Sequence, residues 1–322
     1  MTQVQWDLSQ DLESAVGLLR ARQDDGHQPP VTRIASDATL ERELSLLTNR
    51  KSFVTATRSG ESVLGLASWT PLAWDSEQLG MPAARIDLLV SSGDYREARD
   101  RKCALLRSVA DECRVHGIRY LTARMPAEDL SSINALGSEG FDLMDGILTF
   151  SIRLDGVAPH PASNGFEVRL FQSSDLEQLL SIAGSGYTCD RFHVDRALAP
   201  GVADRLFSAW VARSCSGQEA DAVVVAVTGR RVLAYVTCKV GSAESGDAGE
   251  QVGRIVLVAT AREARGRGVA SAVLQGALDW FQRQGTKVVE VGTQMQNVVA
   301  CRLYEQNGFR MARTSLTFRR IL

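Results

Sequence analysis

The feature that most restricts the folds open to this chain is an internal repeat. Arg85-Ile86-Asp87-Leu88-Leu89-Val90 opens a strand, helix, strand, helix series that closes at Glu139-Gly140-Phe141. Arg254-Ile255-Val256-Leu257-Val258 opens a similar series that closes at Asn307-Gly308-Phe309, and the offsets, 169 and 168 residues, agree within one. That agreement points to duplication. Strands bracketing helices in this order give a mixed α/β sheet in each copy.

The copies divide at Asp155-Gly156-Val157-Ala158-Pro159-His160-Pro161-Ala162-Ser163-Asn164-Gly165, where prolines, glycines and small residues mark a linker. Two domains are expected, residues 1–155 and 165–322 joined through 156–164, which suits a 322-residue chain at roughly 100–200 residues per domain. Up to residue 160 there are 17 basic and 23 acidic residues, and beyond it 19 and 15, so the net charge of −2 averages an acidic half and a basic one. The basic half is the one suited to an anionic ligand.

In the second half the pattern predicts strand 166–171, helices 173–183 and 201–213, and strands 222–227, 231–240 and 252–260. Helix 268–284, strand 287–291, helix 297–306 and closing strands around 309 and 315–320 come next. Helix 268–284 has the clearest period: Val269, Ala270, Val273, Leu274, Ala277, Leu278 and Phe281 share one face, and Gly285 stands in the helix-stop position. The first half predicts helices near 9–22, 39–49, 95–116 and 128–137 among strands near 52–57, 62–70, 84–90, 119–124 and 147–154.

Between strand 252–260 and that helix lies Arg262-Glu263-Ala264-Arg265-Gly266-Arg267-Gly268-Val269-Ala270. Three arginines at the positive end of a helix dipole are unfavourable unless an anion joins them. Gly266 and Gly268 let backbone N–H groups approach pyrophosphate oxygens, and the arginines add charge-assisted contacts. A solvated turn is the other reading of the loop taken alone. No G-x-x-x-x-G-K-[ST] is present, and the third glycine of a dinucleotide fingerprint is missing.

This loop, its helix and strand, and then Asn297-Val298-Val299-Ala300-Cys301-Arg302-Leu303-Tyr304-Glu305-Gln306-Asn307-Gly308-Phe309 together resemble the GNAT superfamily of acetyl-CoA-dependent N-acetyltransferases. One position departs: Glu263 stands where the family's loop signature opens with Arg or Gln. The resemblance implies tandem GNAT-like domains with acetyl-CoA as acyl donor. Within the family, Gly276-Ala277-Leu278-Asp279-Trp280, Val291-Gly292-Thr293-Gln294-Met295-Gln296-Asn297, Leu72-Ala73-Trp74-Asp75-Ser76-Glu77-Gln78-Leu79-Gly80 and Asp190-Arg191-Phe192-His193-Val194-Asp195 are similar to enzymes that acetylate dTDP-4-amino-4,6-dideoxyhexoses.

The resemblance also implies roles. Val258, Ala259 and Thr260 would pair with the pantetheine arm, and Arg265, Gly266, Arg267, Gly268, Val269 and Ala270 would hold the pyrophosphate. Asn297 would contact the cofactor, and Tyr304 would be the general acid beside the sulfur. From residue pattern alone, Tyr304 reads as a packed side chain, a reading that the full motif reverses, and Asn297 reads also as a helix cap, which is compatible with a cofactor contact. For the amine's proton, His193, Asp190, Asp195 and Glu250 are candidates by type, and water is an alternative. His193, Thr293, Gln294, Trp74, Asp75 and Glu77 are the candidate acceptor contacts. At an offset of 168, Tyr304 becomes Leu136, Asn297 becomes Asp129 and the glycine loop becomes Glu97-Ala98-Arg99-Asp100, so the first copy is expected to keep the fold without the cofactor site.

Composition removes other classes. With 44% apolar and 23% charged residues the chain reads as folded rather than disordered. No apolar run nears the roughly 18 residues that span a bilayer, and the start lacks a secretion signal, so a cytoplasmic protein without a membrane partner is expected. Six scattered cysteines without C-x-x-C predict reduced thiols and no metal site. A net charge of −2 lacks the basic excess of a nucleic-acid binder. The expected partner is a small-molecule amine, with a dTDP-amino sugar as leading acceptor and homodimerisation open. A tandem GNAT acting on a mycothiol precursor or antibiotic amine, and a non-catalytic CoA-binding protein, are the alternatives.

Overall fold

The computed structural model describes residues 2–5, 8–24, 36–155, 165–242 and 251–322. It divides into two compact units, residues 1–146 with 314–322, and residues 147–313. The first unit contains β1 (Thr2–Gln5), α1 (Leu8–Asp24), α2 (Ser36–Thr48), β2 (Phe53–Ser59), β3 (Ser62–Pro71), α3 (Ala73–Leu79), β4 (Ala83–Ser91), α4 (Tyr95–Val115), β5 (Tyr120–Pro126), α5 (Leu130–Ser138) and the start of β6 (Asp142–Arg153). The second contains the rest of β6, then β7 (Glu167–Leu170), α6 (Leu176–Gly186), α7 (Arg191–Val194), α8 (Val202–Cys215), β8 (Ala222–Thr228), β9 (Arg231–Ser242), β10 (Gln251–Thr260), α9 (Val269–Arg283), β11 (Val288–Gln294), α10 (Val298–Gln306) and the start of β12 (Arg310–Ile321).

The two units share one strand plan. In the first, β1 to β4 are antiparallel neighbours in order, β4 and β5 are parallel, and β5 pairs antiparallel with Ser315–Ile321 of β12. In the second, β7 to β10 are antiparallel in order, β10 and β11 are parallel, and β11 pairs antiparallel with Ile147–Arg153 of β6. The division is therefore not the sequential one expected at 156–164. The end of the chain supplies the first unit's last strand, and Ile147–Arg153, expected in the first domain, supply the second's. Core packing reflects the exchange: Phe318 joins the first unit's cluster with Trp69, Ile86, Leu106 and Phe141, while Phe150 packs on Tyr304. The linker residues 156–164 lie outside the described residues.

Helix α9 shows how the second unit is assembled. Val269, Val273, Leu274, Ala277, Leu278 and Phe281 are buried along one face, as the period predicted, while Ala270 is only half-buried. Two glycines bring backbone and helix close together. A Cβ at Gly253 of β10 would stand 2.5 Å from the Phe281 ring, and one at Gly276 of α9 would collide with Val168 of β7. Sequence reading overlooked β1 and the short helices α3 and α7, and split β12, which runs continuously.

Candidate active site

In the second unit two parallel strands part. β10 and β11 pair from Val252 with Val288 to Ile255 with Val291 and no further, although β10 continues to Thr260 and β11 to Gln294. A register shift against β9 falls between Ile255 and Leu257, where the Leu257 N–H donates to the Thr237 hydroxyl at 2.9 Å. An irregularity of this kind bends a strand and re-aims the residues beyond it. Val258, Ala259 and Thr260 then pair with Val236, Tyr235 and Ala234 of β9. The opposite edge of β10 has no strand partner there among the described residues, and an amide-bearing chain can add to such an edge.

Past Thr260 the chain makes one 3-10 turn over Arg262–Ala264 and enters α9 through Arg265-Gly266-Arg267-Gly268. Gly266 and Gly268 have φ of 72° and 78°, and a Cβ at either would meet nothing within 4 Å. Backbone conformation, not crowding, requires them. Gly268 brings no side-chain cap, and its carbonyl accepts the Ala272 N–H at 3.1 Å, which leaves the N–H groups of the first turn for an anion. Arg265 and Arg267 are exposed, with Arg267 5.9 Å from the Phe166 ring. Glu263, the departure in the loop, is ion-paired to Arg231, so its charge does not oppose an incoming phosphate. Loop, helix end and strand gap fit the shape and charge of acetyl-CoA.

Asn297 starts α10. Its Oδ1 accepts the Ala300 N–H at 3.2 Å and its Nδ2 donates to Thr293 Oγ1 at 3.1 Å. The Gln294 carbonyl accepts the Asn297 N–H at 2.9 Å, so Thr293 and Gln294 both hold the turn into this helix. Tyr304 lies on α10 only 4% exposed, with ring centroids 5.7 Å from Phe150 and 5.9 Å from Phe309. Its hydroxyl has no hydrogen-bond partner among the described residues. Burial, and secondarily Cys301, push its pKa well above the ordinary 10, so the phenol keeps its proton.

The candidate bases are already engaged. His193 Nδ1 meets Asp190 Oδ2 at 2.5 Å and Nε2 meets Asp204 Oδ1 at 3.0 Å. Burial disfavours the imidazolium, but the bonds to Asp204 and Asp190 outweigh it and raise the pKa above the ordinary 6.5. A histidine whose two ring nitrogens are both taken by carboxylates has no nitrogen left for a substrate amine. Asp190 caps α7 by accepting the Phe192 and His193 N–H groups at 3.0 and 3.3 Å, and Asp195 accepts the Ala197 N–H at 2.9 Å. Glu250 lies outside the described residues. Trp74, Asp75 and Glu77 sit on α3 of the first unit.

Sequence reading missed Tyr187. Its hydroxyl is 3.0 Å from that of Tyr235 on β9, its ring stacks on Phe207 at 4.2 Å, and it lies near enough to Tyr304 for ionisation of the two phenols to be coupled. Burial raises its pKa also. No local pattern marks a tyrosine whose partner is 48 residues away.

The first unit repeats the strand gap, since β4 and β5 pair only from Ala83 with Tyr120 to Ile86 with Ala123. Its α4 does not open on a glycine pair as α9 does. The N-cap of α4 is Asp94, whose carboxylate takes the Glu97 N–H at 2.9 Å and repels other anions. Leu136 is a core residue, and Asp129 is bound to Lys102 at 2.9 Å and to Ser132.

Residues 190–309 match the family model described as Acetyltransferase (GNAT) family. This chain carries a GNAT acetyltransferase domain. Acetyl-CoA is its acyl donor, and the shared strand plan makes it a tandem GNAT fold. Over 250 residues it is 23% identical to a dTDP-fucosamine acetyltransferase of Escherichia coli O6:H1, covering 77% of this chain and 96% of that one. It is 22% identical over 245 residues to the spore coat polysaccharide biosynthesis protein SpsD of Bacillus subtilis, covering 76% and 80%. A GCN5-related N-acetyltransferase from Sphaerobacter thermophilus has the same fold at TM-score 0.65 and 17% identity, covering 99% and 95% of the two chains. A tandem GNAT protein of the clavulanic acid pathway superposes at TM-score 0.58 and 15% identity, covering 99% and 98%. Among the described residues no helix is long and apolar enough to cross a membrane.

Proposed function

We propose that this GNAT acetyltransferase moves acetyl from acetyl-CoA to the amino group of a nucleotide-linked amino-deoxysugar, by direct attack. The observation that carries the chemistry is Tyr304, a buried phenol on the helix beyond the parting strands whose hydroxyl has no hydrogen-bond partner among the described residues. The likeness to a dTDP-fucosamine acetyltransferase, reaching 96% of that protein's length, supports the choice of acceptor.

Acetyl-CoA supplies an activated acyl group and a thiolate leaving group. The free edge at Val258, Ala259 and Thr260 holds the extended arm by backbone hydrogen bonds. Arg265, Arg267 and the N–H groups of Gly266 to Ala270 take the pyrophosphate. Asn297 fixes the start of α10 and thereby the direction of Tyr304. The phenol, which with its raised pKa still carries its proton at neutral pH, donates it to the departing sulfur and is reprotonated from water, which takes up the proton the amine loses. With His193, Asp190 and Asp195 engaged, the amine loses its proton to water. The acceptor approaches over the segment from Tyr187 to Asp195, beside Tyr304.

Thiol release from acetyl-CoA tests the acceptor. Release with one of a panel of dTDP-amino sugars, and none with amine-bearing peptides, is the expected result. Release with peptides alone contradicts the sugar reading.

A further inference from the structure

The bridge made by His193 has no part in the chemistry above, yet it spans the wall of the site. Its two partners come from different elements, Asp190 at the cap of α7 and Asp204 in the first turn of α8. The imidazole lies nearly parallel to Phe207, one turn beyond Asp204, at 5.9 Å, and Tyr187 lies nearly parallel to the same ring at 4.2 Å. The segment that begins at Tyr187 is tied to the site on two further sides. Tyr187 bonds Tyr235 of β9, and the Gln296 side-chain amide, in the turn before α10, donates to the Cys189 carbonyl at 2.8 Å. Gly186 leaves only 3.3 Å between a Cβ of its own and that of Ala259 on β10. Residues 186–190 therefore lie between three elements of the donor site and the α7–α8 pair.

We propose that His193 is a positioning residue: by bridging Asp190 and Asp204 along Phe207 it fixes Tyr187–Asp190 against the donor site and so sets how tightly the acceptor is held. The kinetic consequence rests on the acetyl-transfer reading, with the acceptor approaching over this segment. The ionisable groups facing the imidazole are Asp190 and Asp204, and the next beyond Asp190 is Tyr187, which burial keeps neutral. Because the folded pKa of His193 is raised, the bridge is complete below its ordinary value of 6.5 and is lost as pH rises through the raised value.

The first test needs no acceptor. Amide hydrogen exchange in residues 187–195 is compared between the wild type and His193→Gln at matched pH. Exchange on the order of tenfold faster in the variant at about pH 6, with the difference closing as pH rises through the raised pKa of His193, is expected from the loss of charge-assisted bonds. Equal exchange at the lower pH overturns the proposal. The second test uses any amine the wild type acetylates. The acceptor KM is expected to rise on the order of tenfold at about pH 6 and to converge on the wild-type value at high pH, with the loss falling on KM rather than kcat. A KM ratio that ignores pH, or a loss carried by kcat, overturns it. Should His193→Gln not fold, Asp204→Asn at the half-exposed end of the bridge replaces it, with rescue expected from Asp204→Glu and its absence counting against the bridge. If exchange responds as stated but no amino sugar is acetylated, the sugar reading fails and the bridge stands.

Discussion

Tyr304 is a buried phenol whose hydroxyl has no hydrogen-bond partner among the described residues, and burial favours its neutral form far beyond neutral pH. The Tyr304→Phe variant keeps the packing on Phe150 and Phe309 and removes only the hydroxyl. Its kcat for thiol release should fall by roughly 10²–10⁴, the range for loss of a general acid, while acetyl-CoA affinity by calorimetry stays near the wild-type value. In the wild type, the pH profile of kcat should show no alkaline fall from this phenol below about pH 10. An unchanged kcat removes the acid assignment. At this scale the sequence was legible where the determinant is local. Asn297 reads as a cap because its acceptor role reaches only to Ala300. His193 reads as a candidate base because Asp204, which closes the bridge, stands 11 residues on in another helix.

At the scale of elements, the junction from β10 to α9 separates two kinds of glycine. Gly268 has open space around it and a φ of 78°, so Gly268→Ala costs backbone strain of about 1–2 kcal/mol. It should also weaken acetyl-CoA binding, because the N–H groups it directs form the proposed anion site. Gly253 has no such conformation but faces Phe281, so Gly253→Ala should lower stability by about 1–3 kcal/mol through overpacking. Its effect on acetyl-CoA affinity should be small once folded. Thermal denaturation and calorimetry on the two variants distinguish these outcomes; equal affinity losses would contradict the division. The period of α9 was readable because seven apolar residues recur on one face. The four-residue α7 and seven-residue α3 offered no period to read, and the parting of β10 from β11 depends on partners far along the chain.

For the molecule as a whole, duplication was visible in the offsets, but the exchange of last strands was not, because strand pairing leaves no local mark. Its consequence is concrete. Removing residues 314–322 takes Phe318 and a paired strand from the first unit, so that unit, not the second, should lose its protection in hydrogen exchange. Loss confined to the second unit would contradict the exchange. The same comparison of copies assigns their division of labour: one helix start is bare and flanked by arginines, and the other is capped by Asp94. The most direct measurement of that claim is calorimetric titration of acetyl-CoA into the full chain. The account predicts a single binding site per chain, abolished when Arg265 and Arg267 are both replaced by Glu. Two sites, or a single site indifferent to that replacement, would contradict it.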